Sequence, residues 1–126
     1  MRLEYKTIII TGAASGIGQA SAKKAILEGA RVIGVDLNGA DMPDGVEPVV
    51  GDVSSEETIS RAVTQAGEIH GLGTIAGISR SGVAIDAIDS DEWDEVFAVN
   101  VKASWRWLVG ALPAMRAGGG GSVVMV

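Results

Sequence analysis

A doubly wound α/β domain with a parallel sheet is the fold class this sequence predicts, and three observations carry it. Apolar runs rich in β-branched residues recur along the chain, most of them too unbroken for a strand with one wet face. Stretches of helical periodicity separate these runs, with no internal repeat and no low-complexity linker. A balance of 47% hydrophobic and 21% charged residues over 126 positions suits one soluble domain with one sizeable core.

The elements follow in order. "KTIIIT" (6–11) reads as the first strand, and the helix after it presents Gly18, Ala22, Ala25, Ile26 and Gly29 as a small-residue stripe able to sit close on a sheet, with Gly29 as its stop. "RVIGVD" (31–36) and "EPVVGD" (47–52) read as strands two and three. The stretch 37–50 holds Pro43, Pro48 and two glycines, which leaves a loop where a helix would otherwise cross over. In "SSEETISRAVTQAG" Ser54 and Glu57 have capping-box spacing, and Ile59, Ala62, Val63 and Ala66 share one face.

"GLGTIAG" (71–77) reads as strand four. Beyond it, "SDEWDEVFAVNVKASWRWLVGALPAMRAG" reads as the longest helix: Ser90 is placed to cap it, Asp91, Glu92, Asp94 and Glu95 suit its positive end, and Pro113 is expected to bend or end it. Its apolar stripe is read as Trp93, Phe97, Val101, Trp105, Leu108 and Leu112. Trp105 and Trp107 point to different faces, so one of them is expected to meet a partner chain. "GGGGS" then turns the chain into a fifth strand, "SVVMV" (122–126).

Charge and composition exclude several functions. The formal net charge is −6 and the pI about 4.6, with no Lys/Arg cluster, so no nucleic-acid partner is expected. There is no cysteine, no apolar run of about 18 residues and no leader-like segment, so neither thiol chemistry, a disulfide framework nor a membrane partner is expected, and the reading is cytoplasmic. The only histidine, His70, precedes a buried-looking strand and reads as structural; no metal site is expected.

The chemistry concentrates between the first strand and the first helix. A glycine-rich turn there brings ligand atoms against unpaired helix N–H groups, which makes an anion site. The spacing is Gly12-x-x-x-Gly16-x-Gly18, without the Gly-Lys-Ser/Thr ending of a nucleotide P-loop. Gly12 would permit the tight turn, Gly16 the approach of a pyrophosphate, and Gly18 close helix-to-sheet packing; a purely structural turn is the competing reading. Strand two ends in Asp36, 18 residues beyond Gly18, where a carboxylate can accept from an adenosine ribose. A carboxylate about 4 Å from a 2′-phosphate would meet up to about 4 kcal/mol of repulsion at intermediate dielectric. No basic residue among Ala13 to Ser15, or at Leu37, offsets it, so NAD is expected over NADP.

These residues resemble the short-chain dehydrogenase/reductase family, of the type with T-G-x-x-x-G-x-G, over essentially the whole chain. Thr11 to Gly18 is similar to its glycine motif, Asp36 to its NAD-selecting acid, and Asp52-Val53 to the pair that holds the adenine ring. "IAGIS" (75–79) resembles the end of its N-N-A-G segment. Asn100 in "VFAVNVK" resembles the helix asparagine of its Asn-Ser-Tyr-Lys tetrad, which helps hold a water of the proton relay. The resemblance implies a Rossmann fold over residues 1–126, ending after the fifth strand and before the catalytic serine. It implies NAD as cofactor, bound by Gly12, Ser15, Gly16, Ile17, Gly18, Asp36, Leu37, Asp52, Val53, Ala76 and Gly77, and Asn100 as the catalytic residue present. Its activity would interconvert an alcohol and a carbonyl, and a homo-oligomer is expected.

Asn100 also has a bottom-up reading, because an amide on a mostly apolar helix can satisfy a neighbouring strand. Both roles stay open. Thr74 and Ile75 stand where the family often has Asn-Asn, a departure that removes the amide side chains that would stabilise the central strand, while Ala76-Gly77 remains. No Tyr-x-x-x-Lys occurs in the chain, and the only tyrosine, Tyr5, lies at the start of strand one. A non-catalytic NAD-binding module or partner subunit, and a nucleotide-free interaction domain, are therefore the alternative readings.

Overall fold

The computed structural model describes residues 1–80 and 82–126. Five strands form one parallel sheet: β1 (Thr7–Thr11), β2 (Arg31–Asp36), β3 (Val46–Val50), β4 (Gly71–Thr74) and β5 (Ser122–Met125), in the order β3-β2-β1-β4-β5. The order reverses at β1, so the loops after β1 and β4 diverge at the carboxyl edge of the sheet and open a crevice there. The register sets Ile9 beside Ile33 on one side and Leu72 on the other.

Alternation along the strands feeds a core on each face of the sheet. Ile9, Ile33, Val35 and Leu72 pack with α2 (Glu56–Ala66) and α4 (Ala103–Ala117), while Ile10 and Val32 pack with Ala22 and Ala25 of α1 (Gly16–Leu27). Helices on both faces are why the strand runs are continuously apolar. Of the stripe on α1, Gly18, Ala22 and Ala25 are buried and Ile26 and Gly29 half-buried, and Gly29, at φ +90°, follows the end of that helix. Between β2 and β3 the chain is a loop, secured where the Gln19 side chain donates to the Asp41 carbonyl at 2.9 Å.

Several expectations are corrected here. The long helical stretch is three pieces, α3 (Ser90–Phe97), a π turn at Ala98–Lys102, and α4. Trp93, Phe97, Val101 and Trp105 stand 44–58% exposed, while Ala103, Trp107, Ala111 and Met115 are the buried face. Small residues win the interface because they let α4 approach α2 and the sheet; a β-carbon on Gly110 would stand 2.6 Å from Ile59 Cγ2. The i→i+5 turn also resets the phase of α4 relative to α3. Helix α4 runs through Pro113 to Ala117, and the residue whose carbonyl loses its amide partner to Pro113 is the exposed Val109.

Neither predicted serine cap is used. Asp89 caps α3, accepting from Asp91 N at 2.9 Å, an acceptor as effective there as serine. Helix α2 begins at Glu56, and the Ser54 hydroxyl instead donates to Asp52 Oδ1 at 2.7 Å, since the nearer carboxylate competes for it. His70 is structural: its Nδ1 accepts from Thr7 N at 3.1 Å, at the amino edge of the sheet, away from the crevice.

Candidate functional site

The crevice at the carboxyl edge is a cleft of about 580 Å³, and its walls come from the segments that the strand order splays apart. Gly12, Ser15, Gly16, Ile17 and Gly18 line it from the β1–α1 turn; Asp36 and Leu37 from the end of β2; Asp52 and Val53 from beyond β3; Ala76 and Gly77 from beyond β4. All eleven positions singled out around the glycine motif thus border one space.

The local geometry of the glycine turn follows from which residues lack a side chain. A β-carbon on Gly18 would stand 2.0 Å from the Gly12 carbonyl oxygen, so only glycine lets α1 start this close beneath the turn. Gly16 is different: its φ is +53° and a β-carbon there would meet nothing within 4 Å, which leaves open space over the first turn of α1. The first capped carbonyl of that helix is Ser15 O, accepting from Gln19 N, so the N–H groups of Gly16, Ile17 and Gly18 precede any intrahelical acceptor. No acid occupies that turn, whereas α2 and α3 each carry two.

Asp36 is fixed rather than free. Its Oδ2 accepts from Ala14 N at 3.0 Å and its Oδ1 from Asn38 N at 3.2 Å, which sets the carboxylate across the end of β2 against the glycine turn. Asp52 is similarly drawn onto Ser54. Val53 is positioned from below, where the buried Trp107 indole donates to its carbonyl at 2.9 Å.

In the place of an amide pair before Ala76-Gly77, Thr11 steadies the segment. Its buried hydroxyl oxygen accepts from both Ile75 N, at 2.9 Å, and Ala76 N, at 3.1 Å. Thr74 contributes no such tie, and its Oγ1 is buried without a partner among the described residues.

Asn100 does not line this cleft. It sits in the π turn and borders a second cavity of about 320 Å³, with Ile78 shared between the two. Its side chain forms a two-point pair with that residue: Ile78 N donates to Oδ1 at 2.8 Å, and Nδ2 donates to the Ile78 carbonyl at 2.7 Å. Sequence reasoning missed Ile75, Ile78, Glu95, Val99 and Val126 as lining residues of the first cleft. Adjacency to Ala76-Gly77 was a usable signal for the two isoleucines; Glu95 and Val99 carry none without knowledge of how α3 packs.

Among the described residues no cluster of acids and histidine could hold a metal, and no helix is long and apolar enough to cross a membrane.

The chain matches the short chain dehydrogenase family over residues 6–126. It belongs to that family. Among relatives of this short-chain dehydrogenase, the short chain dehydrogenase adrF of Penicillium roqueforti is 36% identical over 133 residues, covering 98% of this chain and 52% of the relative. Dehydrogenase/reductase SDR family member 6 of Rattus norvegicus is 34% identical over 128 residues, with the same coverage. Among solved structures, a 3-ketoacyl-(acyl-carrier-protein) reductase from Brucella melitensis complexed with NADH superposes with a TM-score of 0.85 at 29% identity, covering 93% of this chain and 53% of that one. The short-chain dehydrogenase chain therefore spans about half the length of the relatives it matches, and its sheet is the amino-terminal, Rossmann part of the family fold. The family uses NAD(P).

Proposed function

We propose that this short-chain dehydrogenase chain binds NAD in preference to NADP as the cofactor-binding portion of an oxidoreductase that interconverts an alcohol and a carbonyl. The observation that carries the reading is the Asp36 carboxylate, held by Ala14 N against the glycine turn. A group there faces whatever enters beside the open first turn of α1. It would accept from a 2′-hydroxyl and repel a 2′-phosphate. The fit is supported by the empty space above Gly16 and the unpaired N–H groups beneath it, which suit a pyrophosphate, and by Asp52-Val53 at the far wall for an adenine. When bound, NAD would accept or deliver the hydride.

Asn100 retains one N–H and one lone pair beyond its pair with Ile78, enough to hold a water of a proton relay beside the second cavity. Tyr5, 87% exposed at the amino edge of the sheet, is on the wrong side to donate a proton. Tyr5 is the single tyrosine of the sequence and borders neither cavity. The outward row Val101, Trp105 and Val109, each more than half exposed, supports a homo-oligomer in which a second copy covers it.

Titration calorimetry with NAD and with NADP tests the cofactor reading. Tighter binding of NAD is expected, and equal or reversed affinities would overturn it.

A further inference from the structure

The second cavity has a chemistry of its own. Its apolar wall is Ile78, Val83, Ile88, Val96 and the Trp93–Phe97 pair, whose rings stack with centroids 4.7 Å apart and planes 20° from parallel. Those two rings remain 56% and 44% exposed, a large flat apolar surface inside a concave site. At about 320 Å³ the cavity falls within the roughly 300–1,000 Å³ range of small-molecule sites. It adjoins the first cleft through Ile78.

Charge narrows the occupant further. Among the described residues two charged side chains line the cavity, Arg80 and Glu92. Arg80 is already engaged, with its Nη2 2.8 Å from Glu95 Oε2. Glu92 then stands in the lining with no paired cation among the described residues. An anionic ligand would meet uncompensated negative charge, while an uncharged one loses nothing.

We infer that this cavity is the seat of the substrate, and that it selects uncharged, ring-bearing alcohols or ketones over carboxylated, phosphorylated or carrier-bound ones. The inference rests on the oxidoreductase reading for its ligand class and on the stacked pair and the Glu92 carboxylate for its selectivity. A flat or fused-ring skeleton lies against the Trp93 and Phe97 faces, and its oxygen-bearing carbon points along the Ile78 wall toward the first cleft.

The test titrates the chain with 2-decalone, a fused bicyclic ketone, and with decahydronaphthalene-2-carboxylate, its anionic counterpart. Tryptophan fluorescence is followed in a Trp105→Phe background, so that Trp93 and the buried Trp107 are the emitters. NAD binding is measured calorimetrically on the same samples. The ketone is expected to bind at least about tenfold more tightly than the carboxylate. Trp93→Ala should weaken it about tenfold through lost apolar contact and leave NAD binding unchanged. Glu92→Gln should narrow the gap between the two probes. Equal or tighter binding of the carboxylate overturns the selectivity. No ketone binding with or without NAD overturns the site, as does a fluorescence change that tracks protein concentration instead of probe, since a second copy would then cover the rings. Ketone binding in a chain that binds no NAD would uphold the cavity and overturn the cofactor reading instead.

Discussion

The side-chain amide of Asn100 and the backbone of Ile78 hold each other at both ends, with N–H to Oδ1 at 2.8 Å and Nδ2–H to carbonyl at 2.7 Å. One residue of the π turn thereby fixes Ile78, the lining residue that both cavities share among the described residues. Asn100→Ala should cost on the order of 1–2 kcal/mol for two partly solvated bonds. Hydrogen exchange at the Ile78 amide should quicken well beyond the global effect. Asn100→Asp keeps the acceptor and loses the donor, so it should retain most of the Ile78 amide protection; an unprotected amide in Asn100→Asp would show that the carbonyl side governs the pair.

Two glycines of one turn should be destabilised to very different degrees by the same change. Gly18→Ala sets a methyl 2.0 Å from the Gly12 carbonyl, a clash that only a backbone shift relieves, and should destabilise by about 3 kcal/mol or more. Gly16→Ala meets open space and carries only the left-handed strain, about 1–2 kcal/mol. Urea denaturation should separate the two, and the Gly16 variant, still folded, should lose dinucleotide affinity because its methyl enters the cleft.

Asp36→Asn removes a charge while an amide oxygen can still accept from Ala14 N. NADP affinity should rise and NAD affinity fall, narrowing the ratio at least about tenfold. Calorimetric titration of both dinucleotides measures it. An unchanged ratio would mean that the carboxylate does not face the ribose.

The pairing of Arg31 with Glu47 should make one contribution to stability acid-sensitive. The Arg31 guanidinium donates to both Glu47 oxygens, at 2.7 and 2.9 Å, and holds that carboxyl below its ordinary value near 4.5. A depressed folded pKa means that the unfolded chain binds more protons as pH falls. The contribution is complete above about 4.5 and is lost as pH drops through the folded value. Both side chains are 43% exposed, so the effect should stay under about 1 kcal/mol. Glu47→Gln should flatten the stability profile below pH 4.5 and leave neutral stability little changed.

Trp105 offers the clearest test of assembly. Trp105→Glu sets a charge at the centre of the outward row on α4, and light scattering over a concentration series should show smaller species than the parent chain. An identical size distribution would remove that row from any interface.

The sheet and the glycine site were legible because each depends on local chemistry: unbroken isoleucine and valine runs, small residues along α1, and an acid ending β2. The face of α4 was not. Hydrophobicity ranks Trp105 above Ala103 or Ala111, yet close approach of two helices to a sheet favours the smaller side chains, and the π turn shifts the phase that a 3.6-residue period assumes. Caps misread for a related reason. Serine at 54 and 90 each had a carboxylate within two residues, and the acids, Asp52 and Asp89, decided the geometry. Asn100 showed its partner only once the chain after β4 was seen to run beside the π turn.

Thr11 joins β1 to the chain that follows β4 through one oxygen, which receives two amides 64 and 65 residues downstream. The floor of the cleft is consequently a composite of two distant stretches, and neither is transferable by itself. A chimera that grafts the β4 loop of one relative onto the glycine turn of another inherits a working floor only if a hydroxyl stands at position 11. Thr11→Ser should accept such a graft. Thr11→Val, with the same shape and no oxygen, should leave the Ile75 and Ala76 amides facing a methyl and reject it.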